Sequence, residues 1–299
     1  MMPLRRVLLG TDFSDASIAA AKWCARHLIS EGELILVHAV ELPQQPVFLR
    51  RLLPAAEEVA ENLASSAAAR MDELEGAVDG RRTRTVIRQG AAPQVIADVA
   101  RETGADLIVV GEHGLRRGVR GLIGTTAERL LTLAPVPVLV ARELPDGPPA
   151  AVLAPLDGCA TDSRVLDWAR TFSRRFDAHV TACHAVDVME LYRRVRTISA
   201  AGRLRELEAE FRRDATAWVE KRLEETGLPE DRRSVEVRMG DPRYAIPAMA
   251  EMTTADLIIM GGAGAGAMTR AVVGSVTSAV LSSTSFPVLV VVGEDRPRD

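Results

Sequence analysis

A glycine pattern that follows a strand-like apolar run occurs twice in this chain, 150 residues apart. The first copy runs from Gly111 to Thr125 and the second from Gly261 to Ser275. Both read glycine, two residues, glycine, nine residues, glycine and a hydroxyl residue. The inner glycines are Gly114 and Gly124 in the first copy, and Gly264 and Gly274 in the second. So specific a spacing, repeated behind the same kind of strand, predicts one fold that is used twice.

The repeat extends over nearly the whole chain. Asp12 and Trp23 have counterparts 145 residues later in Asp157 and Trp168, and His38 has its counterpart 146 residues later in His184. The period is far too long for a solenoid. We therefore predict two domains, 1–143 and 150–299, joined at 144–149 by a linker rich in proline and glycine.

Each half alternates short apolar runs with segments of helical periodicity, such as Val59 to Val78 and Leu204 to Trp218. This alternation is typical of a parallel sheet covered by helices on both faces. Pro247 falls inside one expected helix, which must then begin late or be kinked. The predicted strands are Val7–Gly10, Leu34–Val37, Thr83–Arg88, Asp106–Val110 and Val136–Ala141, and then Ala151–Leu156, Val180–Cys183, Arg233–Met239, Asp256–Met260 and Val288–Val292.

The glycine pattern favours a phosphate-binding loop. Glycines leave backbone N–H groups unshielded, and the final glycine and hydroxyl residue open a helix whose N-terminus attracts anions. The alternative is that the glycines only make a tight connection between strand and helix. The pattern is not a Walker A loop. That loop requires a lysine directly after its final glycine, and here the glycines after Ile123 and Val273 are followed by Thr125 and Ser275. The dinucleotide fingerprint also fails, since Ala267 stands where a glycine is required.

Composition and charge exclude several classes of protein. The net charge is −4, which gives no basic surface for nucleic acid. No apolar run approaches the length of a membrane span. The three cysteines, Cys24, Cys159 and Cys183, lack the spacing of a zinc site or a disulfide framework. We expect a cytoplasmic protein with no metal ligands of its own and no membrane partner.

These features resemble the universal stress protein family in its tandem form. The resemblance rests on Gly10–Ser14, Leu36–Val40, the glycine pattern and Ala134–Val140, and on the matching stretches of the second half, which include Phe286–Val290. The spacing is similar to that of the family's ATP-binding branch, because other members lack it. The resemblance implies two Rossmann-like α/β domains, each an open five-stranded parallel sheet, that pair their fifth strands as a pseudo-dimer.

The resemblance also implies one ATP site per half, at the carboxyl ends of the strands. Mg²⁺ on the phosphates suits the chemistry of the site. By position, the acidic residues of the site lie beside the nucleoside, backbone at the second strands meets adenine, and the glycine pattern holds the phosphates. These residues are Thr11, Asp12, Ala39, Val40, Gly111, Gly114, Gly124 and Thr125 in the first half, and Asp157, Ala185, Val186, Gly261, Gly264, Gly274 and Ser275 in the second.

Several of these residues have a second interpretation. Asp12 and Asp157 could cap the helices that follow them. His38 and His184 allow acid–base chemistry, but strand-end histidines are more often packed or hydrogen-bonded. The first loop carries Arg116, Arg117 and Arg120, and the second has only Arg270. Because arginine suits phosphate, we hypothesise tighter ATP binding in the first half.

The sequence favours a stress-response regulatory protein whose shape or partner surface depends on bound ATP. No catalytic residues are predicted, although slow ATP hydrolysis or adenylyl transfer stays open, as does a scaffold with vestigial sites. The expected partners are adenine nucleotide, the other half of the chain, a second copy in a homodimer and a protein that the sequence does not identify.

Overall fold

The computed structural model describes residues 4–29, 31–41, 56–78, 81–112, 124–187, 201–262 and 273–292, without the side chains of 56–59 and 201–205. This part of the chain divides into two compact units. The first holds residues 4–142 and the second residues 143–291, each with the gaps just given. The predicted domain limits themselves stay a prediction.

The first unit is a parallel five-stranded sheet with strand order β3-β2-β1-β4-β5. A π-helical turn at Cys24–Leu28 extends its first helix. Its strands are β1 Arg6–Gly10, β2 Glu33–Val40, β3 Arg82–Gln89, β4 Leu107–Gly111 and β5 Val138–Ala141, and its helices are α1 Asp15–Trp23, α2 Ala56–Ala77, α3 Ala92–Thr103 and α4 Thr125–Leu133.

The second unit has the same topology, with strand order β8-β7-β6-β9-β10 and all described pairs parallel. A short 3-10 helix at Glu230–Arg232 precedes its third strand. Its strands are β6 Ala151–Pro155, β7 His179–Val186, β8 Arg233–Met239, β9 Leu257–Gly261 and β10 Val288–Val291, and its helices are α5 Asp162–Phe176, α6 Ala201–Glu224, α7 Pro242–Met252 and α8 Ser275–Ser283.

The central strands account for the layered fold. In β4 the four residues Leu107–Val110 are all buried, and Val7–Leu9 of β1 are fully inaccessible. A strand buried at every position must be covered on both faces, so its sequence is a continuous apolar run and does not alternate between apolar and polar residues. The predicted fold class, an open parallel sheet with helices on both faces in each half, is confirmed.

Three boundaries differ from the sequence prediction. Strands β2 and β7 are longer than predicted, so His38 and His184 lie within them and not at their ends. Pairing with the outer strand continues to Val40 and Val186, past the apolar run that marked the core. The late start proposed for the helix that contains Pro247 is wrong, because α7 already begins at Pro242.

A methyl group added at Gly32 and one added at Gly76 should have opposite effects on stability. A Cβ at Gly32 would clash with the backbone carbonyl oxygen of Arg5, whereas nothing lies within 4 Å of a Cβ at Gly76 in α2. We expect Gly32→Ala to destabilise the protein by about 1–3 kcal/mol through backbone overpacking. Gly76→Ala, the matched control, should stabilise it by about 0.5–1 kcal/mol. Urea unfolding measures both, and equal midpoints would contradict this account of Gly32.

Candidate functional site

The strand order of each unit creates a crevice at the carboxyl edge of the sheet. The strand order reverses between β1 and β4, because the chain runs outward from β1 through β2 to β3 and then from β4 to β5 on the other side. Doubly wound folds bind ligands at such a reversal. Pairing of β1 with β2 ends at Gly10 and Val37, so β2 continues three residues beyond it. Ala39 and Val40 therefore lie beyond the end of β1, at the carboxyl edge of the sheet where Thr11 and Asp12 follow.

Asp12 supports the start of α1 without capping it. Its Oδ1 accepts hydrogen bonds from the N–H and the hydroxyl of Ser14, at 3.0 and 2.6 Å. Ser14 is the residue that caps α1, by accepting the N–H of Ser17. The interpretation of Asp12 as a helix cap is therefore wrong, because the helix begins three residues later than the aspartate.

Asp157 has the same local role in the second unit. It accepts the N–H of Cys159 at 3.1 Å, and α5 begins only at Asp162, with Thr161 at the capping position. Its interpretation as a cap is also wrong. Both aspartates close a tight turn directly after the first strand of their unit, and Asp157 is exposed at the mouth of the crevice.

Thr11 is brought to the crevice, but its polar groups bond within the protein. The hydroxyl is buried and lies 2.9 Å from the hydroxyl of Ser17, and it accepts the N–H of Phe13 at 2.9 Å. Its own N–H donates to the carbonyl of Val37. These bonds make Thr11 a residue that shapes the turn. Leu156 takes its place in the second unit, where its N–H donates to the carbonyl of Cys183.

The two histidines make the same hydrogen bond in both units. Nδ1 of His38 lies 2.8 Å from the carbonyl oxygen of Thr11, and Nδ1 of His184 lies 2.7 Å from that of Leu156. A carbonyl oxygen only accepts, so Nδ1 carries the proton in each ring. The expectation that these histidines are packed and hydrogen-bonded is confirmed, and each ties the second strand to the turn after the first.

Each glycine loop is closed at its base by one backbone hydrogen bond. Gly124 donates its N–H to the carbonyl of Glu112 at 3.2 Å, and Gly274 donates to that of Gly262 at 2.8 Å. Gly111 and Gly261 end the strands that lead into the loops. The predicted phosphate contacts at Gly114 and Gly264 lie outside the described residues, as do the four loop arginines.

Among the described residues, no side-chain hydrogen bond caps the helix that follows the final glycine of either pattern. Gly124 and Gly274 have φ of −60° and −61°, values that any residue adopts, so no turn requires glycine there. Thr125 and Ser275 follow as the exposed first residues of α4 and α8. The first N–H groups of a helix have no intrahelical acceptor and carry its positive dipole end. This end of each unit is therefore suited to an anion.

An ion pair missed by the sequence analysis lies at the base of the first loop. The guanidinium of Arg142 is 2.9 Å from the Glu112 carboxylate, and its side chain is only 2% exposed. Burial lowers the pKa of Arg142, while the charge of Glu112 opposes that shift. The pair neutralises a carboxylate that would otherwise repel an anion at the loop. Gly262 occupies the position of Glu112 in the second unit, so that position carries no carboxylate to be neutralised.

A cleft of about 330 Å³ opens in the second unit between the carboxyl ends of β6 and β7 and the helix α6. Its size is at the lower end of the range for small-molecule sites, about 300–1,000 Å³. Trp218, which ends the helical segment predicted from periodicity, lines this cleft, and the buried positions of α6 include Val219 and Leu223. The lining residues are Asp157, Gly158, His184, Val186, Phe211, Asp214, Ala215 and Trp218.

One group of metal-ligand type occurs among the described residues, formed by Asp157, Cys159 and Asp162. Both oxygens of Asp162 already accept backbone N–H groups, from Asp157 at 3.2 Å and Gly158 at 2.9 Å. Burial raises the pKa of the Cys159 thiol and of the Asp162 carboxyl, which disfavours the charged forms that bind metals. The group stabilises the turn before α5, and we assign no metal to it.

Comparison with known proteins decides the family. The model of the universal stress protein family matches residues 3–142 and again residues 150–292. The chain belongs to the universal stress protein family. A tandem architecture agrees with the sequence prediction, and no helix in the described part of this universal stress protein is long and apolar enough to cross a membrane.

Relatives of full length are also universal stress proteins. One from Mycolicibacterium smegmatis is 27% identical, over 98% of this chain and 97% of its own length. One from Mycobacterium tuberculosis is 26% identical over 95% and 96% of the two chains. The crystal structure of a universal stress protein from Archaeoglobus fulgidus superposes with a TM-score of 0.72 at 18% identity, covering 99% of both chains, which shows a shared fold.

Proposed function

We propose that this universal stress protein binds one ATP in each unit and acts as a nucleotide-dependent regulator. One observation carries the proposal: in both units a helix N-terminus without a side-chain cap and the base of the glycine loop lie at the carboxyl edge of the sheet. The N–H groups and dipole of α4 and α8 favour phosphate. A single such end would be unremarkable in an α/β fold, but here the same spacing occurs in both units.

The parts of the nucleotide are assigned as the resemblance to the ATP-binding branch of the family implies. The phosphates lie at Gly111, Gly124 and Thr125, and at their counterparts Gly261, Gly274 and Ser275, with Gly114 and Gly264 completing the loops. The nucleoside lies beside Asp12 and Asp157. The base meets the backbone at Ala39 and Val40, and at Ala185 and Val186. Mg²⁺ would be held by phosphate oxygens and the hydroxyls of Thr125 and Ser275, because a hard cation prefers oxygen ligands.

We propose that nucleotide occupancy, and not product formation, is the signal, with a partner surface that changes between the empty and the filled protein. General base catalysis needs a group aimed at the attacking nucleophile. His38 and His184 use Nδ1 to hold the turn after the first strand, which leaves Nε2 as the basic nitrogen of each ring. Hydrolysis of bound ATP is therefore the alternative, and the count of bound nucleotide distinguishes the two. Cytoplasmic location, pairing of the two halves and homodimer formation remain predictions.

The nucleotide content of freshly purified protein tests the proposal. We expect close to two adenine nucleotides per chain, mostly ATP, when the protein is denatured and the released nucleotide is identified and counted by chromatography. Mostly ADP would favour the enzyme that hydrolyses ATP. No nucleotide, and none bound after addition of Mg-ATP, would contradict the proposal and leave a scaffold that acts through protein contacts alone.

A further inference from the structure

The two units form the wall beside His38 and His184 from different elements. Helices α2 and α6 correspond, because Ala67 and Met71 in the first occupy the register of Ala215 and Val219 in the second, and Met71 and Val219 are both fully buried. In this register Arg70 of the first unit corresponds to Trp218 of the second. The residue that faces the crevice from the long helix is therefore a cation in one unit and an indole in the other.

In the first unit the aromatic ring comes from the turn after β1. Phe13 has φ of 63°, a left-handed conformation that is rare for a bulky residue. Its ring is 5% exposed and lies 4.4 Å from the ring of His38, measured between centroids. Arg70 covers that ring at 4.8 Å and donates to the carbonyl oxygen of Phe13 at 2.8 Å. The helix is thereby fixed to the turn, and the ring is already covered on its outer side.

In the second unit the turn contributes no ring. Gly158 holds the position of Phe13 with φ of 84°, and a Cβ there would lie 3.9 Å from Cζ2 of Trp218. The indole lies 5.4 Å from the ring of His184, edge on, and is only partly buried. It lines the cleft together with Asp157 and Val186, the residues assigned to the nucleoside. The guanidinium of Arg222 lies 5.9 Å from the centroid of the indole ring, and the part of the indole that lines the cleft is the surface available to a planar ligand.

We propose that Trp218 is the base-stacking residue of the second site and makes that site selective for the base end of the nucleotide. This inference rests on the proposed function and deepens it, since it concerns how one of the two sites recognises its ligand. Flat aromatic faces stack on nucleobases with little regard to which base is present. The first site has no equivalent indole, because Phe13 is packed beneath Arg70, and its affinity depends more on the phosphates. The two sites thus take the same ligand but differ in the aromatic contact that the base makes.

Tryptophan fluorescence isolates this contact. The chain has three tryptophans, and Trp23 and Trp168 are 7% and 3% exposed. We expect ATP and adenosine to quench the fluorescence of the wild-type protein after bound nucleotide is removed, and inorganic triphosphate to leave it unchanged. The quench should persist in the Trp23→Phe/Trp168→Phe control and disappear in Trp218→Leu. Calorimetry with the first site disabled by Thr125→Glu should show ATP binding weakened about 5- to 100-fold by Trp218→Leu.

Two outcomes separate the inference from the proposed function. If Trp218→Leu, with unchanged circular dichroism, binds ATP as tightly as the wild type and the wild type shows no quench, Trp218 does not stack and the inference fails while ATP binding stands. If the wild type binds no nucleotide by calorimetry, the proposed function and the inference fail together. Trp218→Phe should retain most of the affinity without the quench, which distinguishes stacking from a general loss of folding.

Discussion

One nucleotide per chain should be lost when Thr125 is replaced by glutamate, and none should remain when Ser275→Glu is added. Both residues are exposed at the first position of a helix. A carboxylate there interacts favourably with the helix dipole, so the fold should not be weakened. The same carboxylate lies where we place the phosphates, and like-charge contact costs several kcal/mol. We expect the dissociation constant of the altered site to rise by at least about 100-fold, as measured by calorimetry.

Thr125→Val and Ser275→Ala are the matched controls for charge. They remove only the hydroxyl, whose hydrogen bond contributes about 0.5–1.5 kcal/mol, and should weaken binding by about tenfold or less. The urea midpoint of each glutamate variant should equal or exceed that of the wild type. Unchanged affinity in Thr125→Glu and Ser275→Glu would remove the helix N-termini from the site.

Phe172→Ala should unfold the second unit selectively. Phe172 is fully buried in α5, with ring centroids of Trp168 and Phe176 at 6.3 and 5.4 Å. Removing a buried phenyl ring costs about 3–5 kcal/mol, a large share of the roughly 5–15 kcal/mol that stabilises a domain. We expect urea unfolding to split into two transitions, of which the earlier is the unfolding of the second unit and the later that of the first. At urea concentrations between them the variant should retain one nucleotide.

Phe176→Ala is the control for this position, since its ring is only partly buried on the same helix. Its cost should be clearly smaller, and its unfolding curve should stay close to that of the wild type. A Phe172→Ala variant with the wild-type midpoint, followed by circular dichroism and by the nucleotide count, would contradict the packing described for α5.

The sequence alone was enough for the repeat and the layered fold. Apolar runs without alternation predict strands that are covered on both faces, and β4 is such a strand in the structure. The start of α4 at Thr125 and of α8 at Ser275 was also predictable, because each residue follows the final glycine of the pattern and the apolar periodicity of a helix begins there. Short-range patterns of this kind depend on neighbours along the chain, so they can be predicted without a tertiary structure.

The tertiary structure decided how the two crevices differ. Periodicity placed Trp218 in the apolar stripe of its helix, but a period of 3.6 does not distinguish a side chain that packs in the core from one a fraction of a turn away that lines a cleft. Nothing local pairs Arg142 with Glu112, thirty residues apart, or sets Arg70 over Phe13. These contacts depend on which strands are adjacent and on how each helix lies against them. The sequence therefore determined that there are two equivalent crevices, and the packing of distant residues determined that their walls differ.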